Sequence, residues 1–172
     1  MKRLIGGESR RGGNLVELAL ILPLVFLLIV NAINFGAFLY ALITVANAVR
    51  TGADYMVMGG ASVGSPQPPD LASQVVPLVQ ADCNALLNKS PGALTVRVCT
   101  NNSSNGTVVV NCSDGTTSAP ADPEPNTYVA GTVDVTYIYQ PLIPLWEFPG
   151  LRIHATIPAT TIHRRAITRM IQ

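Results

Sequence analysis

Leu18-Ala19-Leu20-Ile21-Leu22-Pro23-Leu24-Val25-Phe26-Leu27-Leu28-Ile29-Val30 is the stretch on which the architecture turns. It opens a run between Glu17 and Arg50 that holds no charged side chain. Those roughly 32 residues, wound as a helix at 1.5 Å each, reach roughly 48 Å, whereas a bilayer's hydrocarbon is roughly 30 Å thick and about 20 apolar residues cross it. The run therefore predicts a helix over residues 13–57 that crosses a membrane, with its span at about residues 18–40, and then emerges. Asn31, Asn34, Gly36 and Asn47 make its second half progressively more polar and better suited to packing against protein. Pro23 lacks an amide donor and is a candidate kink, a break that lipid tolerates when neighbouring groups adjust.

Outward from this run, the whole chain has 172 residues, 48% hydrophobic and 12% charged. That is about half the usual charge, and the uncharged run accounts for much of the deficit. A net charge of +1 excludes the global basic field of a nucleic-acid binder, and the apolar content excludes general disorder. Lys2, Arg3, Arg10 and Arg11 precede the run with only Glu8 opposing them. The positive-inside rule then keeps the N-terminus in the cytoplasm and sends the residues after about 50 across the membrane. A cleaved secretory signal would find a small-x-small site at Ala46-Asn47-Ala48, but its apolar region would normally span only about 7 to 15 residues. An uncleaved signal anchor is compatible with the same length and flanks.

Glu17 stands at the start of the run. A carboxylate at the membrane boundary costs little while it stays at the interface, and much if it is desolvated without a partner. It is either a plain interfacial residue or one that pairs with a cation. The neatest cation is a free α-amino group made by a cut just upstream and presented by a neighbouring subunit.

The order Arg10-Arg11-Gly12-Gly13-Asn14-Leu15-Val16-Glu17-Leu18-Ala19-Leu20-Ile21-Leu22-Pro23-Leu24 combines a basic leader, a glycine, a glutamate five residues later, an apolar run and a proline. It closely resembles the N-terminus of TadE-like pseudopilins, minor subunits of the type IVb Flp or tight-adherence (Tad) pilus system. The likeness continues into Ala46-Asn47-Ala48-Val49-Arg50-Thr51-Gly52-Ala53-Asp54-Tyr55, similar to the family's Ala-rich helix end. The resemblance implies that a prepilin peptidase cuts after Gly12, which removes residues 1–12 as a leader and leaves Gly13 as the new N-terminus with Glu17 fifth. A cut after Gly13 would make Glu17 fourth, and the first register fits the family better. A small residue also suits a protease that must accept an extended backbone near a membrane.

Residues 58–69, rich in Gly and Pro, read as a linker, and residues 70–172 as an extracytoplasmic head. Asp70 is a candidate cap for a second helix whose stripe is Leu71, Val75, Leu78, Val79 and Leu86. Pro77 interrupts that stripe, and Asp82 falls where it should continue. The period then changes. Leu94–Val98 and Thr107–Val110 read as strands joined by a polar turn, Tyr128–Tyr139 as another, and Leu151–Ile157 as the last, after the breakers Pro141, Pro144, Pro149 and Gly150. One helix followed by several strands gives an α+β head with a helix packed on an antiparallel sheet. Such a head behind a long helix is similar to a pilin, and Tyr137 to Gly150 resembles the family's Pro-rich connection between late strands.

The chain has 3 cysteines. If Asn105-Gly106 form a two-residue type I′ turn, counting outward sets Cys99 opposite Cys112 at a non-hydrogen-bonded position, where Cα atoms approach to about 4.5 Å, within disulfide range. An oxidising periplasm permits the bond. Cys99–Cys112 is preferred to Cys83–Cys99, although a longer turn would shift the register, and Cys83 is then left buried or free for another partner.

His154 and His163 are too isolated for a histidine-rich metal site, the cysteines lack CxxC spacing, and neither a phosphate loop nor a dinucleotide fingerprint is present. No local nucleophile motif selects a triad, so neither a cofactor nor catalysis is expected. Arg164-Arg165 and Arg169 read as a solvated tail rather than a polybasic site. The Asn-x-Ser/Thr sequons at Asn102, Asn105 and Asn111 match too short a pattern to carry meaning.

The expectation is thus a non-enzymatic minor pilin-like subunit that helps initiate, prime or cap assembly of an adhesive surface pilus. The long head points to a minor component rather than a major subunit, since the resemblance implies that the family's major pilins are much shorter. The implied partners are a prepilin peptidase, other pilins and pseudopilins, the inner-membrane Tad assembly platform and the lipid bilayer, with no nucleic acid. The implied location is the bacterial inner membrane, single-pass, with the head in the periplasm or on a surface pilus. The alternative is a permanently anchored periplasmic scaffold or binding protein that is never processed.

Overall fold

The computed structural model describes residues 9–58, 72–104, 107–118, 129–144 and 155–170. Its first element, α1, is one unbroken helix of 50 residues, Ser9–Met58, about 75 Å long at 1.5 Å per residue. It runs through Pro23 without interruption. It also begins at Ser9, inside the segment read as a leader, so Gly12 and Gly13 both lie in helical turns.

The two halves of α1 meet different surroundings. From Gly13 to Ile29 every side chain is exposed except the half-buried Leu27. From Val30 onward a buried face appears, made of Val30, Asn34, Ala37, Ala41, Val45, Ala48, Val49, Gly52, Ala53 and Met56. These recur every three or four residues, the repeat of one helical face. The prevalence of Ala and Gly on that face lets the helix backbone come close to what it packs on.

What it packs on is a second helix and a sheet. Helix α2, Ala72–Asp82, continues through Pro77; the proline sits one turn in and is exposed, so it removes one backbone bond without a steric clash in the core. Ala72, Val75 and Val79 form the helix's buried stripe. A 3-10 turn at Cys83–Ala85 then carries the stripe on through Cys83 to Leu86, both buried, and leaves Asp82 exposed. The expected cap Asp70, with Leu71 and residues 59–69, lies outside the described residues.

Four strands follow: β1 Leu94–Ser104, β2 Thr107–Cys112, β3 Val129–Tyr139 and β4 Thr160–Met170. They form an antiparallel sheet in the order β2-β1-β3-β4, with α1 lying over β3 and β4 and α2 over β1. The fold is α+β, a long apolar helix and a second helix on an antiparallel sheet. Strand alternation explains the layering. Val133, Val135, Tyr137 and Tyr139 of β3 are fully buried toward the helices, whereas Asp134, Thr136 and Ile138 point to the other face. Val98 of β1 and Ile162 of β4 complete the helix-facing layer.

Two expectations are corrected. The last strand is not Leu151–Ile157: Ala155–Ile157, the described part of that stretch, is irregular, and β4 starts at Thr160. The arginines at 164, 165 and 169 are therefore not a tail but part of β4. Their charge hides the alternation, yet Thr160, Thr161, Ile162, Ile167 and Thr168 are good strand formers, and charged side chains are the usual furnishing of an edge strand. On the outer face Arg165 reaches Asp134 Oδ2 from Nε at 3.2 Å and Nη2 at 2.9 Å, and His163 Nε2 lies 2.5 Å from Asp134 Oδ1.

The hairpin of β1 and β2 pairs Ser104 with Thr107 and Cys99 with Cys112, while its turn, Asn105-Gly106, lies outside the described residues. The Ser113 amide donates to the Val98 carbonyl at 2.8 Å, which is the ladder bond beside a non-hydrogen-bonded pair. Cys99 and Cys112 are joined there as a disulfide, with Cα atoms 4.0 Å apart.

Candidate assembly helix and its clasp

The sequence places its assembly residues on the first turns of α1. Glu17 and Gly13 are exposed, and they stand four residues apart, so they share one helix face. A Cβ added at Gly13 would meet nothing within 4 Å. Of the side chains at 9–12, including Gly12, nothing is described. Two successive glycines each cost a helix about 1 kcal/mol relative to alanine, so the turn at Gly12-Gly13 is the easiest place in α1 to unwind to an extended strand.

Beyond Glu17 the helix is a bare apolar rod: Leu18, Leu20, Leu22, Leu24, Phe26 and Leu28 are all exposed. Leu20 leaves 75% of its surface open. So much contiguous apolar surface on one element is not compatible with water and calls for lipid or other helices around it. The helix is long and apolar enough to cross a membrane, and it fits a single-pass anchor.

Where the bare half ends, two asparagines take hold of the head. Asn31 Nδ2 donates to the Leu27 carbonyl at 3.0 Å and to the Ala155 carbonyl at 2.9 Å. Asn34 is fully buried. Its Nδ2 donates to the Ile143 carbonyl at 2.9 Å, and its Oδ1 accepts the Ile143 amide at 3.1 Å. Tyr139 Oη donates to the backbone carbonyl of Asn34 at 2.8 Å, and the Tyr139 ring meets Phe38 edge-on with centroids 5.4 Å apart. Every polar atom of the Asn34 side chain is thus engaged, as a buried amide requires. The sequence marked both asparagines as places for protein contact; it held no signal for Ile143 and Ala155 as the acceptors, because those contacts run through backbone carbonyls.

The cysteines divide as a bonded pair and one free thiol. Cys83 is free and buried, and burial pushes its thiol above the ordinary value, with Lys89 opposing and Asp82 adding to the rise. It is an inert core thiol. Across the sheet, Arg97 donates to Asp114 at 2.8 Å, to Thr116 Oγ1 at 2.5 Å and to the Ser118 carbonyl at 2.6 Å. Hydrogen bonds from Thr116, followed by the Arg97 charge, hold the Asp114 carboxyl below the usual value. Among the described residues no group of three or more His, Cys, Asp or Glu side chains is placed to hold a metal ion.

No curated protein and no solved structure matches the chain. Residues 12–54 match the family model described as TadE-like protein, a stretch that begins at the glycine pair, takes in Glu17 and the bare half, and ends within the helix-to-head packing. Through that helix, about a quarter of its length, the chain is similar to TadE-like proteins.

Proposed function

We propose that the protein is a minor pilin-like subunit that helps initiate, prime or cap assembly of a type IVb Flp/Tad adhesive pilus, and that it acts without catalysis. In this reading a prepilin peptidase cuts after Gly12. The new α-amino group of one subunit then pairs with Glu17 of its neighbour, and the bare half of α1 joins a bundle of like helices. Before assembly the helix spans the inner membrane with its N-terminus in the cytoplasm and its head in the periplasm. There the partners are other pilins, pseudopilins and the Tad assembly platform.

The observation that carries the reading is the division of α1. One continuous helix is bare over Gly13–Ile29 and packed into a helix-on-sheet head from Val30, which is what a subunit needs if one half is to exchange lipid for neighbouring helices. The family match over that same helix supports it. Peptide mass spectrometry of membrane fractions, with and without the prepilin peptidase, is the test. The expected result is an N-terminus at Gly13 only when the peptidase is present. An intact Met1 terminus in both samples would favour the permanently anchored scaffold instead.

A further inference from the structure

The anchor is too short for the bilayer by the time the head begins. From Leu18 to Val30 there are roughly 13 residues, a rise of about 20 Å, against a hydrocarbon thickness of roughly 30 Å. Starting the span as early as Gly13 lengthens the bare rod only to about 25 Å. Tilt makes the shortfall larger. The missing length has to come from Asn31 onward, where Asn31 and Asn34 already hold Ala155 and Ile143 of the head. The part of the head around these two residues therefore shares the depth of the outermost hydrocarbon.

That end of the head is built for such a place. Leu142 is exposed, with 38% of its surface open, and Ile33 and Phe35, which flank Asn34 in the sequence of α1, are also exposed. Irregular backbone at membrane depth is tolerated only when its polar groups are satisfied by protein. Asn34 engages both the amide and the carbonyl of Ile143, and Asn31 engages the carbonyl of Ala155. Two asparagines in an apolar helix thus remove three backbone polar groups from contact with lipid.

We propose that the end of the head carrying Leu142–Pro144 and Ala155–Pro158 is seated in the outer edge of the lipid bilayer, so that the membrane-resident subunit contacts lipid through its head as well as its helix. The proposal rests on the membrane-anchored reading of α1, and the experiment separates the two. The full chain is reconstituted in phosphatidylethanolamine/phosphatidylglycerol vesicles with single cysteines introduced as Leu22→Cys in the rod, Leu142→Cys at the seated end and Thr117→Cys on the exposed turn after β2. The native cysteines are buried or bonded and stay silent toward a membrane-impermeant maleimide. Leu22→Cys is expected to be protected, and Leu142→Cys to label about tenfold or more slowly than Thr117→Cys, as burial of an apolar site in lipid implies.

Labelling of Leu142→Cys as fast as Thr117→Cys, with Leu22→Cys protected, overturns the seated head and leaves the anchor standing. Labelling of all three overturns both. A second variant, Pro158→Cys at the exposed residue on the other segment of the seated end, guards against a misfolded Leu142→Cys. It too is expected to label about tenfold or more slowly than Thr117→Cys, as burial of an apolar site in lipid implies, and labelling as fast as Thr117→Cys would overturn the seated head.

Discussion

Glu17 stands exposed at the foot of an apolar rod, and its chemistry depends on what surrounds that rod. At a membrane interface the carboxylate stays hydrated; within a bundle of helices it is desolvated and needs a cation. Glu17→Ala is therefore expected to leave membrane insertion and head folding intact while impairing piliation. Membrane fractionation and pilus shearing assays on the same cells read the two effects apart, and normal piliation in the variant would remove the pairing role. The conservative Glu17→Gln keeps size and polarity but not charge, and is expected to behave like the alanine if the partner is an α-amino group. Asn34 illustrates a different residue-scale demand. Its side chain closes two hydrogen bonds to Ile143, so Asn34→Leu leaves a buried amide and a carbonyl unpaired and is expected to cost about 2 to 4 kcal/mol of head stability, read as a lowered unfolding midpoint in detergent.

At the scale of elements, the close approach of α1 to α2 and to the sheet is set by glycines facing bulky neighbours. A Cβ at Gly52 would run into the Val79 side chain, with Val75 and Val133 each 3.6 Å away. Val79 is β-branched and held in a helix, so it cannot swing aside. Overpacking of this kind costs about 1 to 3 kcal/mol, partly offset by the roughly 1 kcal/mol that alanine gains over glycine within a helix. Gly131 on β3 would meet the Met56 thioether, an unbranched chain with three rotatable bonds that can move away. Gly52→Ala is thus expected to destabilise the head more than Gly131→Ala, and chemical unfolding of the two variants gives the order directly.

The same elements show what was legible in advance. Val133 to Tyr137 announced β3 because a buried face alternating with a polar one is written in the residue types. β4 is not legible in the same way because Arg164, opposite the buried Val135, and the exposed Ile167 break its alternation, and only the pairing of Ile162 with Tyr137 and of Ala166 with Val133 reveals which positions face the core. The disulfide partners could be counted from a turn dipeptide, since register in a two-residue hairpin is fixed by the turn. The acceptors at Ile143 and Ala155 were illegible, because a backbone carbonyl is common to every residue. Glu17 and the glycine pair could be read from their order along the chain, whereas the point at which the head takes hold of the helix emerges only from the fold.

For the molecule as a whole, the disulfide and the helix stabilise different parts. The Cys99–Cys112 bond spans a sequence separation of 13, a loop whose closure is worth about 3 kcal/mol. It sits on the β1–β2 side of the sheet, away from the β3 and β4 surface that α1 covers. Reduction is expected to lower the unfolding temperature of the head while leaving the protein in the membrane, which circular dichroism of reconstituted samples with and without reductant can follow. Cys83 remains unlabelled until the head unfolds, so thiol counting in the same experiment reports the state of the core.

The unbroken course of α1 has a mechanical meaning. No loop separates the anchor from the head: the helix that carries Leu20 in the rod is the one that carries Val45, Val49 and Met56 in the core. A pull along the helix axis consequently loads the contact with β3 and β4 in shear over its full length, where all the side chains resist together, rather than peeling them one by one. A tether arranged in this way transmits tension stiffly and yields only when the whole interface gives.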